Sequence, residues 1–198
     1  MYSSDMNNAY IFFGKSGSGK GTQAHLLMTR LEGESKKVLY IETGALIRSF
    51  AGTDSYIAGI TKKDMEEGGL TPEFLATTFW GQFLISNFTG NESIVLDGVA
   101  RRVDEAKMLI SALKYIGIHN IYVIFINTSN EWSTEKLLAR GRSDDDINEI
   151  QKRLEWYAQN TMESLEYFKQ NENVNYIEIN GEQTVEQVNA DIVKNLNI

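Results

Sequence analysis

The chain has 198 residues, 42% of them hydrophobic and 23% charged, with no cysteine, two histidines and a formal net charge of −8. Such a composition fits one α/β-sized globular domain and excludes a disordered chain, disulfides, thiolate catalysis and cysteine-based zinc sites; His25 and His119 lie too far apart to read as a metal pair. The acidic balance argues against nucleic acid or an anionic membrane as partner, so an anionic substrate would need the few cations to converge on one place.

Residues 1–8 are polar and lack a charged segment followed by an apolar one, so they read as a flexible N-terminus without a signal peptide. Residues 9–198 then read as one domain. Ala9–Phe13, Val38–Ile41, Ile94–Leu96, Ile121–Ile126 and Tyr176–Ile179 are predicted strands. Most are continuous Val, Ile, Leu and aromatic runs, as in a parallel sheet covered on both faces. The longest, Ile121–Ile126, is too short to span a bilayer, and cytoplasmic residence is expected. Between the strands lie helical patterns: Ala24, Leu27, Met28 and Leu31; then Ile147, Ile150, Leu154, Tyr157 and Leu165. Thr71-Pro72-Glu73 predicts a helix start with Pro72 at the first helical position, followed by Phe74, Leu75, Phe79, Phe83, Leu84 and Phe88. The alternation implies a doubly wound α/β fold.

Two segments break the alternation. About fifty residues separate the second and third strands, more than one crossover needs. A wholly polar stretch runs from Arg140 to Asp146. Both read either as decoration or as a substrate-binding flap, about 43–72, and a lid, about 140–146.

Gly14-Lys15-Ser16-Gly17-Ser18-Gly19-Lys20-Gly21-Thr22 follows the first strand and opens the first helix. Inward-facing amides and the helix N-terminus cradle a polyphosphate in such a turn, with Lys20 reaching the β- and γ-phosphates. The residue after the lysine, usually Ser or Thr for magnesium, is Gly21. Asp97, at the end of the third strand, can instead hold the water shell of a phosphate-bound Mg²⁺, since open α/β sheets bind ligands at that rim. Elsewhere the local readings stay open. Thr43 can cap a short helix with Arg48 a solvated cation; Asp144 and Asp145 can cap a helix with Arg140, Arg142 and Arg153 on a solvated face.

Gly19-Lys20-Gly21-Thr22-Gln23 resembles the phosphate loop of the adenylate kinase family, and further motifs follow in that family's order. Thr43-Gly44-Ala45-Leu46-Ile47-Arg48 and Gly69-Leu70-Thr71-Pro72 are similar to its monophosphate-binding segments. Asp97-Gly98-Val99-Ala100-Arg101 is similar to its Asp-Gly-Phe-Pro-Arg, Arg140 to Asp145 with Arg153 to its short bacterial lid, and Asn180-Gly181 to the turn closing over the ATP base. The resemblance implies a P-loop NTPase-like three-layer fold, a five-stranded parallel sheet with helices on both faces plus a helical monophosphate-binding flap and a short lid. It implies reversible transfer of the γ-phosphoryl group from ATP–Mg²⁺ to AMP, giving two ADP, by a protein that is usually a monomer. Gly17, Ser18, Gly19, Lys20, Gly21, Thr22, Lys136, Arg140 and Gly181 would bind ATP. Thr43, Gly44, Arg48, Leu70, Thr71, Gly98, Arg101 and Glu105 would bind the monophosphate, and Asp97 magnesium through water. Lys20, Arg101, Arg140, Arg142 and Arg153 would be catalytic.

Three departures matter. Lys136 stands where the family commonly stacks an arginine on the ATP base. Val99 and Ala100 replace Phe and Pro, which is expected to loosen the turn before Arg101. Glu105 replaces a glutamine that pairs with adenine, although an acid in a first helical turn can point elsewhere. A UMP/CMP or GMP kinase of the same fold, or a non-catalytic nucleotide-binding regulatory module, are the alternatives; retained phosphate-handling cations argue against decay.

Overall fold

A computed structural model describes residues 7–67, 71–141 and 145–198. Five strands form one all-parallel sheet: β1 (Asn8–Phe13), β2 (Lys37–Glu42), β3 (Glu92–Asp97), β4 (Asn120–Asn127) and β5 (Asn175–Asn180), in the spatial order β2-β3-β1-β4-β5. Every predicted strand is present, extended by one or two residues at its ends. From β1 the chain crosses to the edge strand β2, returns inward to β3 and then passes to β4 and β5 on the other side, which leaves a crevice at the carboxyl end of β1.

Alternate side chains of each strand enter opposite cores, the reason the runs are continuously apolar. On one face Ile11, Phe13, Ile94, Leu96, Val123 and Phe125 pack under α4 (Glu73–Asn87), α5 (Val103–Tyr115) and α8 (Met162–Lys169), through Trp80, Leu84, Leu109, Leu113 and Phe168. On the other, Tyr10, Phe12, Val95, Ile124 and Ile126 pack under α1 (Lys20–Gly33) and α9 (Val185–Leu196), through Leu27, Leu31, Val188 and Ile192. Gln23 locks the latter two helices together, donating to the Val185 carbonyl at 2.8 Å and accepting from Asn189 at 3.1 Å.

The long connection from β2 to β3 holds α2 (Thr43–Ala51), α3 (Tyr56–Glu66) and α4. At α4, Pro72 is the N-cap, not the first helical residue, and its carbonyl accepts from Leu75 and Ala76, both at 3.1 Å. Phe74 of the predicted apolar face is 61% exposed; Trp80 fills the core instead. After β4 come α6 (Asn130–Arg140) and α7 (Ile147–Trp156), whose Leu137, Ile150 and Leu154 form a small separate cluster. The helical pattern predicted through residues 147–165 contains a π-helical turn, Tyr157–Thr161, between α7 and α8. Ile150, Leu154, Tyr157, Thr161, Ser164, Leu165 and Phe168 are buried along this stretch, while Ile147 at its start is exposed. Among the described residues, no helix is long and apolar enough to cross a membrane.

Candidate active site

The five strands end on one rim, at Phe13, Glu42, Asp97, Asn127 and Asn180. Over that rim lies a cleft of about 1270 Å³. Among the described residues six cations line it, Lys20, Arg48, Arg101, Lys136, Arg140 and Arg153, against three carboxylates, Glu42, Asp97 and Glu105. The convergence that an acidic chain would need for an anionic substrate is therefore present.

The glycine loop forms the floor. The α1 helix begins at Lys20 with no side-chain cap, so its first amides remain available to an anion. Lys15 anchors the loop to the end of β4 by donating to the Thr128 carbonyl at 2.7 Å, and Lys20 crosses it by donating to the Lys15 carbonyl at 3.3 Å. Gly17 has φ 84°, and a Cβ there would lie 2.4 Å from the Ser133 carbonyl oxygen, so the loop presses directly on α6. A Cβ on Gly21 would lie 2.9 Å from Asp97 Oδ2. The carboxylate thus occupies the room that a Ser or Thr after the lysine would take.

Among the described residues Asp97 Oδ2 has only the Tyr40 hydroxyl, at 3.5 Å, and Oδ1 is buried without a hydrogen-bond partner. Ser18 Oγ and Thr43 Oγ1 are buried and unpartnered as well. Such groups cost free energy unless something in the cleft satisfies them. No cluster of three or more His, Cys, Asp or Glu exists among the described residues. A single free carboxylate oxygen beside a phosphate-binding helix end therefore fits a hydrated Mg²⁺ held through water, not a closed protein cage. Burial lowers the Lys20 pKa; Asp97 opposes that shift, while Arg101 and Arg140 add to it. A polyphosphate would relieve this crowding of positive charge.

On the β2–β3 side, Arg101 Nε donates to the Gly98 carbonyl at 3.2 Å. Arg48 is ion-paired with Glu42 at 2.6 Å, so it is not simply a solvated cation. Glu42, not Thr43, is the N-cap of α2; Thr43 is its first residue, and its hydroxyl caps nothing. Glu105 is 3% exposed and accepts the Arg101 backbone N–H at 2.9 Å. Burial raises its pKa, opposed by that hydrogen bond and by the charges of Arg101 and Arg102.

On the α6–α7 side, the buried Asp145 carboxylate gathers two arginines. Arg140 Nε and Nη2 donate to its two oxygens at 2.8 and 2.7 Å, and Arg153 Nη2 donates to Oδ1 at 2.8 Å. The neighbouring Asp146 is the true helix cap, accepting from Asn148 at 2.9 Å.

The family model described as adenylate kinase matches residues 12–173. The chain is 32% identical to adenylate kinase 1 of Synechocystis sp. over 193 residues, covering 96% of this chain and 97% of that one. It is 30% identical to an adenylate kinase of Prochlorococcus marinus over 177 residues, 89% of this chain and 93% of the relative, and 32% identical to that of Porphyromonas gingivalis over 162 residues, 80% of each.

The chain belongs to the adenylate kinase family.

Every site residue expected from this membership that the structure describes lines the one cleft: Gly17, Ser18, Gly19, Lys20, Gly21, Thr22, Thr43, Gly44, Arg48, Thr71, Asp97, Gly98, Arg101, Glu105, Lys136, Arg140, Arg153 and Gly181. Leu70 and Arg142 lie outside the described residues. The turn before Arg101 differs from expectation. Ala100 sits at φ 56°, a left-handed conformation that proline cannot adopt, and its carbonyl accepts the buried Ser164 hydroxyl at 2.6 Å. The turn takes another path and is tied to α8, so losing the family proline does not loosen it. Sequence reasoning passed over Trp132, whose ring carries Lys136 Nζ at 4.4 Å, and Trp156, which also lines the cleft. Neither stands in a glycine- or charge-marked motif, and helical aromatics read first as core.

Proposed function

We propose that the protein transfers the γ-phosphoryl group of ATP to AMP, reversibly, giving two ADP. The observation that carries this reading is the placement of Lys20 among Asp97, Arg101 and Arg140 in one cleft lined by six cations. Within 9–198, α2 and α3 in about 43–72 would form the acceptor flap and about 140–146 the lid. Lys20 and the loop amides would hold the β- and γ-phosphates; Arg48 and Arg101 would take the acceptor phosphate, Arg48 exchanging Glu42 for it. Arg140, Arg142 and Arg153 would surround the group in transit, and Thr43 Oγ1 would meet the acceptor base. Asp97 would hold the waters of magnesium, which arrives with ATP and neutralises charge on its phosphates. The acceptor oxygen is already anionic at neutral pH, so no general base is required; the work is positioning and charge stabilisation with water excluded.

Glu105 bears on the acceptor. Guanine would offer two adjacent donors to a carboxylate, but Glu105 Oε2 already accepts from Arg101 N–H, and Oε1 faces Arg102 Nη1 at 4.0 Å. This favours AMP, bound less tightly than a neutral amide would bind it. In a coupled assay with ATP–Mg²⁺ against AMP, dAMP, GMP, CMP and UMP, AMP is expected to be used best. Glu105→Gln should lower its KM roughly threefold or more, since an amide both donates and accepts. GMP used better than AMP by the parent protein would overturn the assignment. The same variant has a signature in pH. A raised native pKa means the folded state holds this proton more tightly than the unfolded chain does. The stability it contributes is therefore full below pH 4.5, the ordinary value, and lost as pH rises through the native pKa. The unfolding midpoint of Glu105→Gln should accordingly gain on the parent between low and neutral pH.

A further inference from the structure

Arg102 belongs to none of the motifs, yet it touches three elements around the acceptor half of the cleft. Its Nη1 donates to the Thr71 carbonyl at 3.2 Å, and its Nε lies 3.3 Å from Glu73 Oε1, both at the start of α4. Nη1 is also 4.0 Å from Glu105 Oε1 in the first turn of α5. The guanidinium carbon sits 4.8 Å from the centre of the Trp156 ring at the end of α7. Thr71, Glu105 and Trp156 all line the cleft, whereas Arg102 stands behind them with its side chain 22% exposed.

A planar guanidinium suits this place. It can donate along its edge to a carbonyl and a carboxylate while its face lies on an indole, which a lysine cannot do. Each contact alone is weak at such exposure. Together they set the relative position of three segments distant in sequence.

We infer that Arg102 is a positioning residue for the acceptor half: without contacting substrate, it presets Thr71, Glu105 and the Trp156 ring as the walls against which the acceptor's purine lies. Preset walls spare the nucleotide the ordering of three segments on binding, so the benefit falls on acceptor affinity. Donor binding is on the far side of Lys20 and gains little from it. The inference rests on the reading that this half takes the monophosphate.

Arg102→Met keeps the aliphatic stem and removes the charged fork; Arg102→Lys returns the charge alone. Steady-state kinetics varying AMP at saturating ATP–Mg²⁺, then the reverse, should show the AMP KM of the Met variant raised about tenfold with the ATP KM changed less than about twofold, and the Lys variant in between. Equal rises for both substrates, or a lowered unfolding midpoint with both KM values kept, would assign Arg102 to stability alone and overturn the inference. Arg48→Ala serves as the control. Should it leave the AMP KM untouched, the placement of the acceptor is itself wrong; should it raise that KM while Arg102→Met does not, only the role of Arg102 falls.

Discussion

Replacing Lys20 by Ala should lower kcat by at least about a hundredfold while leaving the fold intact. The ammonium is positioned before substrate arrives, by the Lys15 carbonyl and by the helix start on which it sits. Charge fixed in place needs no reorganisation as the phosphoryl group moves, and that is where its catalytic value lies. Its cost to the folded protein is the other half of the argument. Burial and the nearby Arg101 and Arg140 lower its pKa, so the native state holds this proton less tightly than the unfolded chain. Stability from this group therefore rises with pH and is lowest where the lysine is charged in both states. Lys20→Ala should not lower the unfolding midpoint at neutral pH. A variant that folds normally and keeps near-parent turnover would remove Lys20 from the mechanism.

Arg140→Ala and Arg153→Ala should each depress kcat more than they raise KM, by roughly 2–4 kcal/mol in activation free energy. Asp145 holds both guanidinium groups by charge-assisted hydrogen bonds of 2.7–2.8 Å, with its own side chain fully buried. Two guanidinium groups fixed at the wall of the cleft suit the spread charge of a loose phosphoryl-transfer transition state. Losing one arginine leaves Asp145 still paired with the other, so the stability penalty should be smaller than the catalytic one. A rise in KM with kcat kept would show instead that the two arginines bind ground state and transition state alike.

What the sequence disclosed and what it hid have physical reasons. The strands were legible because a parallel sheet buried on both faces demands unbroken apolar runs such as Ile121–Ile126. The glycine loop was legible because close backbone approach leaves few choices of residue, as Gly17 against Ser133 shows. Helix starts were not, since they turn on a residue either way: Glu42 occupies the N-cap position where Thr43 was the candidate, and Pro72 stands one place early. The π turn at Tyr157–Thr161 has no composition of its own. Least legible were pairings across long separations, Arg102 with Trp156 and Ser164 with Ala100, because each is made by the fold after the local pattern has been read.

The most direct test follows the phosphoryl group itself. Phosphorus NMR of ATP–Mg²⁺ mixed with AMP and the protein should show ATP and AMP falling together and two ADP appearing per pair. ADP alone should return both nucleotides, and chelation of magnesium should stop the exchange. ADP and free phosphate formed from ATP without consumption of AMP, or nucleotide resonances perturbed by binding with no turnover in either direction, would contradict the account.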